Sequence, residues 1–301
     1  MFPRWLARHS GGCRWLFPMS FHQGFLTAIG RDLLGGDAQF PTGLRVLVAL
    51  RRLLDDPQAS VPRVCALIDS EPLMVARLLR LANCATFNPQ GQELLRTDQA
   101  VQRLGFDFVR MAVTVVAMGQ MRGLAGLRRV PAMAACADAA WLRSVQLSVL
   151  ARLWAAQSGD PARADEAGLC ALVSELGTFY LLQRASQEPR YSQAQTTALL
   201  DDLLHQHGRA MTARLAALLE LPAPVVAVLQ AWPADTQTQW PDLPRDAQAH
   251  ALSVVLQKAQ QWWLPVFGAA ALPETVTPQE QETLRLARIH VQELLSAVAL
   301  S

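Results

Sequence analysis

The sequence predicts an all-α fold, and three observations predict it. Of the 301 residues, 51% are apolar, and much of that share is Ala and Leu, which favour helix. Strand formers are scarce, with only two Tyr, and nowhere do apolar and polar residues alternate over a long run. From Pro41 onward the chain reads as amphipathic stripes of helical period, separated by short turns rich in Pro, Gly and Asp.

The helices follow in order. Leu44, Leu47, Val48, Leu50 and Leu54 form the first apolar stripe, and Asp55-Asp56-Pro57 ends it. A second helix begins near Ser60, with Pro62 in its first turn, and a third begins at Pro72 and carries Val75, Leu78, Leu79 and Leu81 inward. Proline is tolerated at such starts because its missing N–H would have no helical partner there. Asn83 to Thr97 is polar and reads as a loop leading to a short helix, Asp98 to Leu104, which Gly105 stops. Phe106 to Met121 is strongly apolar and belongs at the centre of the core. The arginine-rich connection Arg122 to Arg129 marks a boundary between two helical subdomains.

Beyond that boundary, Pro131 to Gln157 reads as one long helix. Asp160-Pro161 caps the next, expected to run through Ala171 to about Leu182, and further helices are expected at 192–206, 209–220 and 222–231. A proline-rich stretch from Pro233 to Pro244 links to a helix at 246–263. The last helix has the clearest start, Thr277-Pro278-Gln279-Glu280, an N-cap hydroxyl, an N1 proline and an N3 carboxylate.

Charge and cysteine usage narrow the function classes. The net charge of +2 conceals an asymmetry, because residues 1–130 carry 16 basic and 9 acidic groups whereas residues 131–301 carry 11 and 16. This is a polar distribution suited to an interaction surface, well short of the dense basic stripe of a dedicated nucleic-acid binder. The five cysteines, Cys13, Cys65, Cys84, Cys136 and Cys170, are widely spaced and form no CxxC pair, which fits a reducing cytosol. No run of about eighteen apolar residues suggests a membrane span, and the first thirty residues make a poor signal peptide. Trp5, Trp15, Phe17, Phe21 and Phe25 give that segment an apolar face, for a partner, a surface or the protein's own domain.

Between Asp55 and Gly105 the motifs Asp55-Asp56-Pro57, Leu67-Ile68-Asp69-Ser70-Glu71-Pro72, Leu78-Leu79-Arg80-Leu81-Ala82-Asn83-Cys84 and Ala100-Val101-Gln102-Arg103-Leu104-Gly105 follow one another. In order and spacing this run resembles the HDOD family. Glu71-Pro72 stands for the family's acidic-proline pair and Asn83-Cys84 for its usual Asn-Ser. The resemblance continues more loosely through Trp141-Leu142-Arg143-Ser144 and Gly168 to Gly177. It implies a compact multi-helix HD-like fold of two packed helical subdomains, 38–129 and 130–235. An N-terminal extension, 1–37, would precede it, and C-terminal helices, 236–301, would pack on the HD-like part.

The resemblance also sets an expectation for chemistry. HDOD modules are related to HD-type phosphohydrolases, which hold metal with a helix-borne His, a His-Asp doublet and a distal Asp. Here Ser174 and Glu175 stand where that doublet would be, and Arg143 occupies the place of the first His. A serine hydroxyl is a poor ligand and an arginine stays cationic, so this set does not hold a metal in the ancestral way. No metal, cofactor or catalytic residue is therefore expected. Arg143, Ser174 and Glu175 could form either a vestigial ligand pocket or an Arg–Glu pair satisfying helix ends.

Other candidates are weaker. His205 and His207 are two residues apart and so lie on different helix faces, with Asp201 and Asp202 one turn earlier, an unpromising metal set. Arg103, Arg110, Arg122, Arg128 and Arg129 could make a patch for an anionic partner, but without clustered aromatics for base stacking. No phosphate-binding loop, nucleophile elbow or dinucleotide fingerprint occurs. The leading expectation is a non-catalytic HDOD adaptor that signals through protein contacts in the bacterial cytoplasm. The alternatives are a remnant phosphohydrolase acting on a nucleotide or cyclic dinucleotide, and a nucleotide or nucleic-acid sensor using the basic N-terminal half.

Overall fold

Proline starts many of the helices and sharp backbone turns separate them. The structure, a computed structural model, describes residues 20–35, 46, 49–50, 52–54, 56, 58–84, 87–157, 161–192, 197–233, 240, 243–268 and 276–298. All regular elements among them are helices: α1 (Ser20–Gly35), α2 (Val61–Asp69), α3 (Pro72–Ala82), α4 (Thr97–Arg122), α5 (Ala125–Arg128), α6 (Pro131–Ala156), α7 (Pro161–Val173), α8 (Leu176–Ala185), α9 (Pro189–Ser192), α10 (Thr197–Leu218), α11 (Ala223–Ala231), α12 (Ala247–Phe267) and α13 (Pro278–Val298). Of the first expected stripe, residues 49–50 and 52–54 are helical. Trp5, Trp15, Phe17 and Cys13 lie outside the described residues, as does most of the 233–244 linker.

The motif run is built as its residues dictate. Ser60 caps α2 from extended backbone, and Glu71 does the same for α3, with Pro72 at its first position. Leu78 and Leu81 are buried, while Val75 and Leu79 are half-buried against the same core. Asn83 then ties down the loop that follows. Its Nδ2 donates to the Leu79 and Leu94 carbonyls at 3.0 and 2.8 Å, and its Oδ1 accepts from the Leu94 amide at 2.8 Å. Asn88 Nδ2 closes the same loop on the Gln92 carbonyl at 2.5 Å. Thr97 Oγ1 donates to Asp69 Oδ1 at 2.6 Å, joining the start of α4 to the end of α2.

Gly105 is the pivot of α4. Its φ of 75° and ψ of 160° belong to a region essentially reserved for glycine, and the two halves of α4 meet there at 108°. A side chain at Gly105 would meet no neighbour within 4 Å, so backbone torsion alone demands glycine. After the pivot α4 contributes Val113, Ala117, Met118 and Met121 to the core.

Helix α6 is the axis of the remaining packing. It is buried nearly all round, and α7, α12 and α13 pack along it. Trp263 Nε1 donates to Gln146 Oε1 at 2.9 Å, fixing α12 on α6, and α13 reaches across to α3 as well. Helix α1 returns to its own domain. Phe25, Ile29 and Leu33 are buried in the core, and Arg184 Nη2 donates to Asp32 Oδ2 at 2.5 Å. The buried apolar side chains of both halves form one continuous cluster.

Two expectations need correction. The helix expected to run from Pro161 to about Leu182 is broken at Ser174-Glu175, giving α7 and α8. The helices expected at 192–206 and 209–220 are instead one helix, α10, passing straight through Gly208. A close approach of two helix backbones lies beside both differences. A Cβ at Gly177 would lie 2.2 Å from the Gly208 carbonyl oxygen and 2.5 Å from the Thr212 amide nitrogen, so α8 and α10 cross with their backbones in contact. Gly208, between the two expected helices, lies inside α10 at the floor of this crossing. The capping box expected at α13 is present in both directions, with Glu280 N donating to Thr277 Oγ1 and Thr277 N to Glu280 Oε2, each at 3.2 Å. Asp246 caps α12 by accepting from the Ala249 amide at 2.8 Å.

No single helix among the described residues is long and apolar enough to cross a membrane. Cys65, Cys136 and Cys170 are buried free thiols, and burial pushes Cys136 up to about 12 and raises Cys170 further, so both remain protonated fillers of the core.

Candidate functional site

The break between α7 and α8 puts Ser174 and Glu175 at a helix junction, and α6 and α10 supply what surrounds them. Glu175 sits in a bridge-region conformation, φ −99° and ψ 7°, with a side chain only 3% exposed. Burial resists ionisation of its carboxyl. The opposing attractions of Arg143 and Arg209, with a hydrogen bond donated by Thr178 Oγ1 at 2.8 Å, outweigh that burial and hold it below the usual carboxylate range.

Arg143 Nη2 donates directly to Glu175 Oε1, and Arg209 Nη2 lies 3.6 Å from the same oxygen. Arg209 also spends Nη1 on the Ser174 carbonyl at 2.8 Å, and its guanidinium lies 5.4 Å from the centroid of the Trp232 ring. Burial and the neighbouring Arg143 lower its pKa to about 10 despite the attraction of Glu175, which leaves it charged at neutral pH. Thr212 Oγ1 reaches the Ser174 carbonyl at 3.1 Å and accepts from the Gly177 amide at 2.9 Å. Ser174 turns its hydroxyl onto the Ala171 carbonyl at 2.8 Å.

The three residues singled out from sequence are thus near one another, but in unequal roles. Arg143 and Glu175 form the ion pair, while Ser174 takes part through its backbone and satisfies its own hydroxyl within its helix. Sequence reasoning missed Arg209, Thr178 and Thr212.

A divalent metal does not fit this arrangement. Glu175 is the one carboxylate of the cluster, both its oxygens are engaged, and two cationic guanidinium groups flank it. Among the described residues no three His, Cys, Asp or Glu gather to hold a metal. His205 and His207 belong to no such group. His207 lies instead edge-on to the buried His22, ring centroids 5.9 Å apart, and burial lowers its pKa, with His22 adding to the effect. His22 pairs through Nδ1 with the Tyr191 hydroxyl at 2.7 Å and through Nε2 with Asp202 Oδ2 at 3.0 Å. His22, so paired, anchors α1 against α9 and α10.

The remaining family positions are structural. Glu71 and Pro72 start α3, Asn83 clamps the loop, Leu104 packs half-buried on the core and Gly105 turns α4.

An all-helical chain whose N-terminal half carries the motif run from Asp55 to Gly105 and whose α8 and α10 cross in backbone contact at Gly177 defines a class of protein, a compact multi-helix module. The model of the HDOD domain matches residues 40–232, and this chain belongs to the HDOD family. Its fold is shared with a candidate metal-dependent phosphohydrolase of Shewanella amazonensis, 19% identical, with a TM-score of 0.62 over 93% of this chain and 100% of that one. An HDOD domain protein of Geobacter sulfurreducens, 15% identical, superposes with a TM-score of 0.59 over 92% of this chain and 98% of its own. A candidate signal transduction protein of Marinobacter aquaeolei, 17% identical, reaches 0.51 over 86% of this chain and 58% of its own. At such identities the likeness is one of fold. No curated protein matches the sequence significantly.

Proposed function

We propose that this chain is a non-catalytic HDOD adaptor, working through protein contacts in bacterial cytoplasmic regulation. The observation that carries the reading is the Arg143–Glu175–Arg209 knot, which by the motif resemblance falls where an HD-type enzyme would assemble its metal. An enzyme of that class acidifies water on a cation. Here the same position holds two guanidinium groups around one carboxylate, an arrangement suited to holding three helices together. The fold shared with a candidate signal transduction protein supports the same direction.

Two measurements test it. Purified protein, analysed for bound metal and assayed with Mg²⁺ or Mn²⁺ against nucleotides and cyclic dinucleotides, is expected to show no turnover above background. Metal-dependent hydrolysis abolished by Glu175→Gln in a variant that still folds would overturn the proposal. Cross-linking in cells followed by mass spectrometry is expected to return a reproducible regulatory partner, and a chain that captures none counts against an adaptor role.

A further inference from the structure

Helix α1 is held on the domain by three buried apolar side chains, Phe25, Ile29 and Leu33, and by a polar contact towards each end. Towards its C-terminus Asp32 pairs with Arg184, both partly exposed. Towards its N-terminus His22 is wholly buried, and both its ring nitrogens are engaged. Nδ1 lies 2.7 Å from the Tyr191 hydroxyl of α9, and Nε2 lies 3.0 Å from Asp202 Oδ2 of α10. An ionised carboxylate can only accept, so Nε2–H donates to Asp202 and Nδ1 accepts from the Tyr191 O–H. The neutral ring is thereby satisfied on both sides. Gln206 Nε2 donates to the other carboxylate oxygen, Asp202 Oδ1, at 2.5 Å.

His207 closes this cluster from α10. Its ring stands edge-on to His22, centroids 5.9 Å apart and planes at 73°, and its Nε2 is buried with no hydrogen-bond partner. A neutral ring can leave a lone pair there, whereas a protonated ring would place a charged N–H where nothing accepts it. The groups that face it are His22 from α1 and Asp202 from its own helix. Tyr191 of α9, with Glu188 and Arg190 beside it, stands on the other side of His22. Asp202 favours a charge on His207, but it is already bonded to His22 and Gln206. We infer that His207 is a proton-operated latch for α1, whose protonation in mild acid releases the helix from α9 and α10.

The direction follows from what docking does to the ring. Burial, with His22 adding to it, holds the His207 pKa below its ordinary value of 6.5 against the pull of Asp202. Undocking α1 removes His22 and admits water, so the released chain binds the proton more tightly. The contribution of the neutral ring to docking is present in full above about pH 6.5 and is lost as the pH falls through the docked pKa. Release uncovers the ring of Tyr191, which is wholly buried, with the centroids of His22 and Phe25 at 6.0 and 4.9 Å. This device goes beyond the adaptor reading and stands whether or not that reading holds.

The test is hydrogen exchange of the full chain at about pH 7.5 and about pH 5, expressed as protection factors so that the intrinsic pH dependence of exchange cancels. Protection of the α1 amides is expected to fall about tenfold in acid, the change produced by a proton bound tenfold more tightly in the undocked state, while α6 stays protected. In His207→Gln the α1 amides should keep their protection at both pH values. Unchanged α1 protection in the wild type overturns the inference, as does a fall that persists in His207→Gln. Should that variant fail to fold, an NMR titration of the wild-type His207 ring decides alone. A midpoint below that of an exposed histidine, coinciding with the loss of α1 protection, is expected, and a midpoint at or above it overturns the latch.

Discussion

The loop clamp at Asn83 and the knot at Glu175 solve a similar problem with opposite means. Each sits where one helix ends and must hold irregular backbone against a neighbouring element. Asn83 does so with neutral hydrogen bonds to Leu79 and Leu94 across a local loop. Glu175 does so with charge, drawing Arg143 and Arg209 from helices distant in sequence. A neutral clamp is indifferent to acid and costs little to bury once satisfied. A buried carboxylate is stable only while both it and its guanidinium partners are present, which makes the second junction the more fragile.

The largest expected effect breaks the charged side of this comparison. Glu175→Gln leaves two guanidinium groups buried without their counter-charge and should cost about 3–5 kcal/mol in denaturant unfolding. Its magnitude is to be set against Gly177→Ala, whose new Cβ would meet the Gly208 and Thr212 backbone at 2.2 and 2.5 Å. That overpacking should cost about 3 kcal/mol and force α8 away from α10. Asn83→Ala removes the neutral clamp and leaves the Leu94 amide without its acceptor, at about 1–3 kcal/mol, and should increase hydrogen exchange specifically in residues 87–96. Gly105→Ala strains only torsion, because no atom stands near its Cβ, and should cost about 1–2 kcal/mol.

Acid sharpens the same contrast. The carboxyl of Glu175 titrates below its ordinary value of 4.5 in the folded chain. Its contribution is therefore fully present above about pH 5 and is lost as the pH falls through the folded pKa. Between about pH 5 and pH 3, unfolding free energy should fall more steeply in the wild type than in Glu175→Gln, whereas Asn83→Ala should follow the wild-type slope. Parallel slopes for wild type and Glu175→Gln would remove Glu175 as the acid-sensitive element.

Much of the fold was legible because its signals are local. Ser60, Pro72, Gly105 and the Thr277–Glu280 box each act within a few residues of themselves, so their spacing alone places a helix end. The Ser174-Glu175 break was not legible, since Leu172 to Leu182 is as apolar and helix-prone as the helix before it. The split between the helices expected at 192–206 and 209–220 failed for the converse reason. A mid-helix glycine looks like a terminus unless one knows that the α8 backbone lies across it. The candidate site was half legible: Arg143 and Glu175 stand out as replacements within a recognisable pattern, while Arg209 becomes visible only once α10 is continuous and passes beneath α8.

By itself, then, the sequence determined the all-helical class, the positions of many helix ends and the family, because propensity, capping and backbone torsion are local properties. Only the tertiary structure decided which charges meet. It gave Glu175 two arginines, because the pairing of buried charge depends on helices brought together from distant parts of the chain.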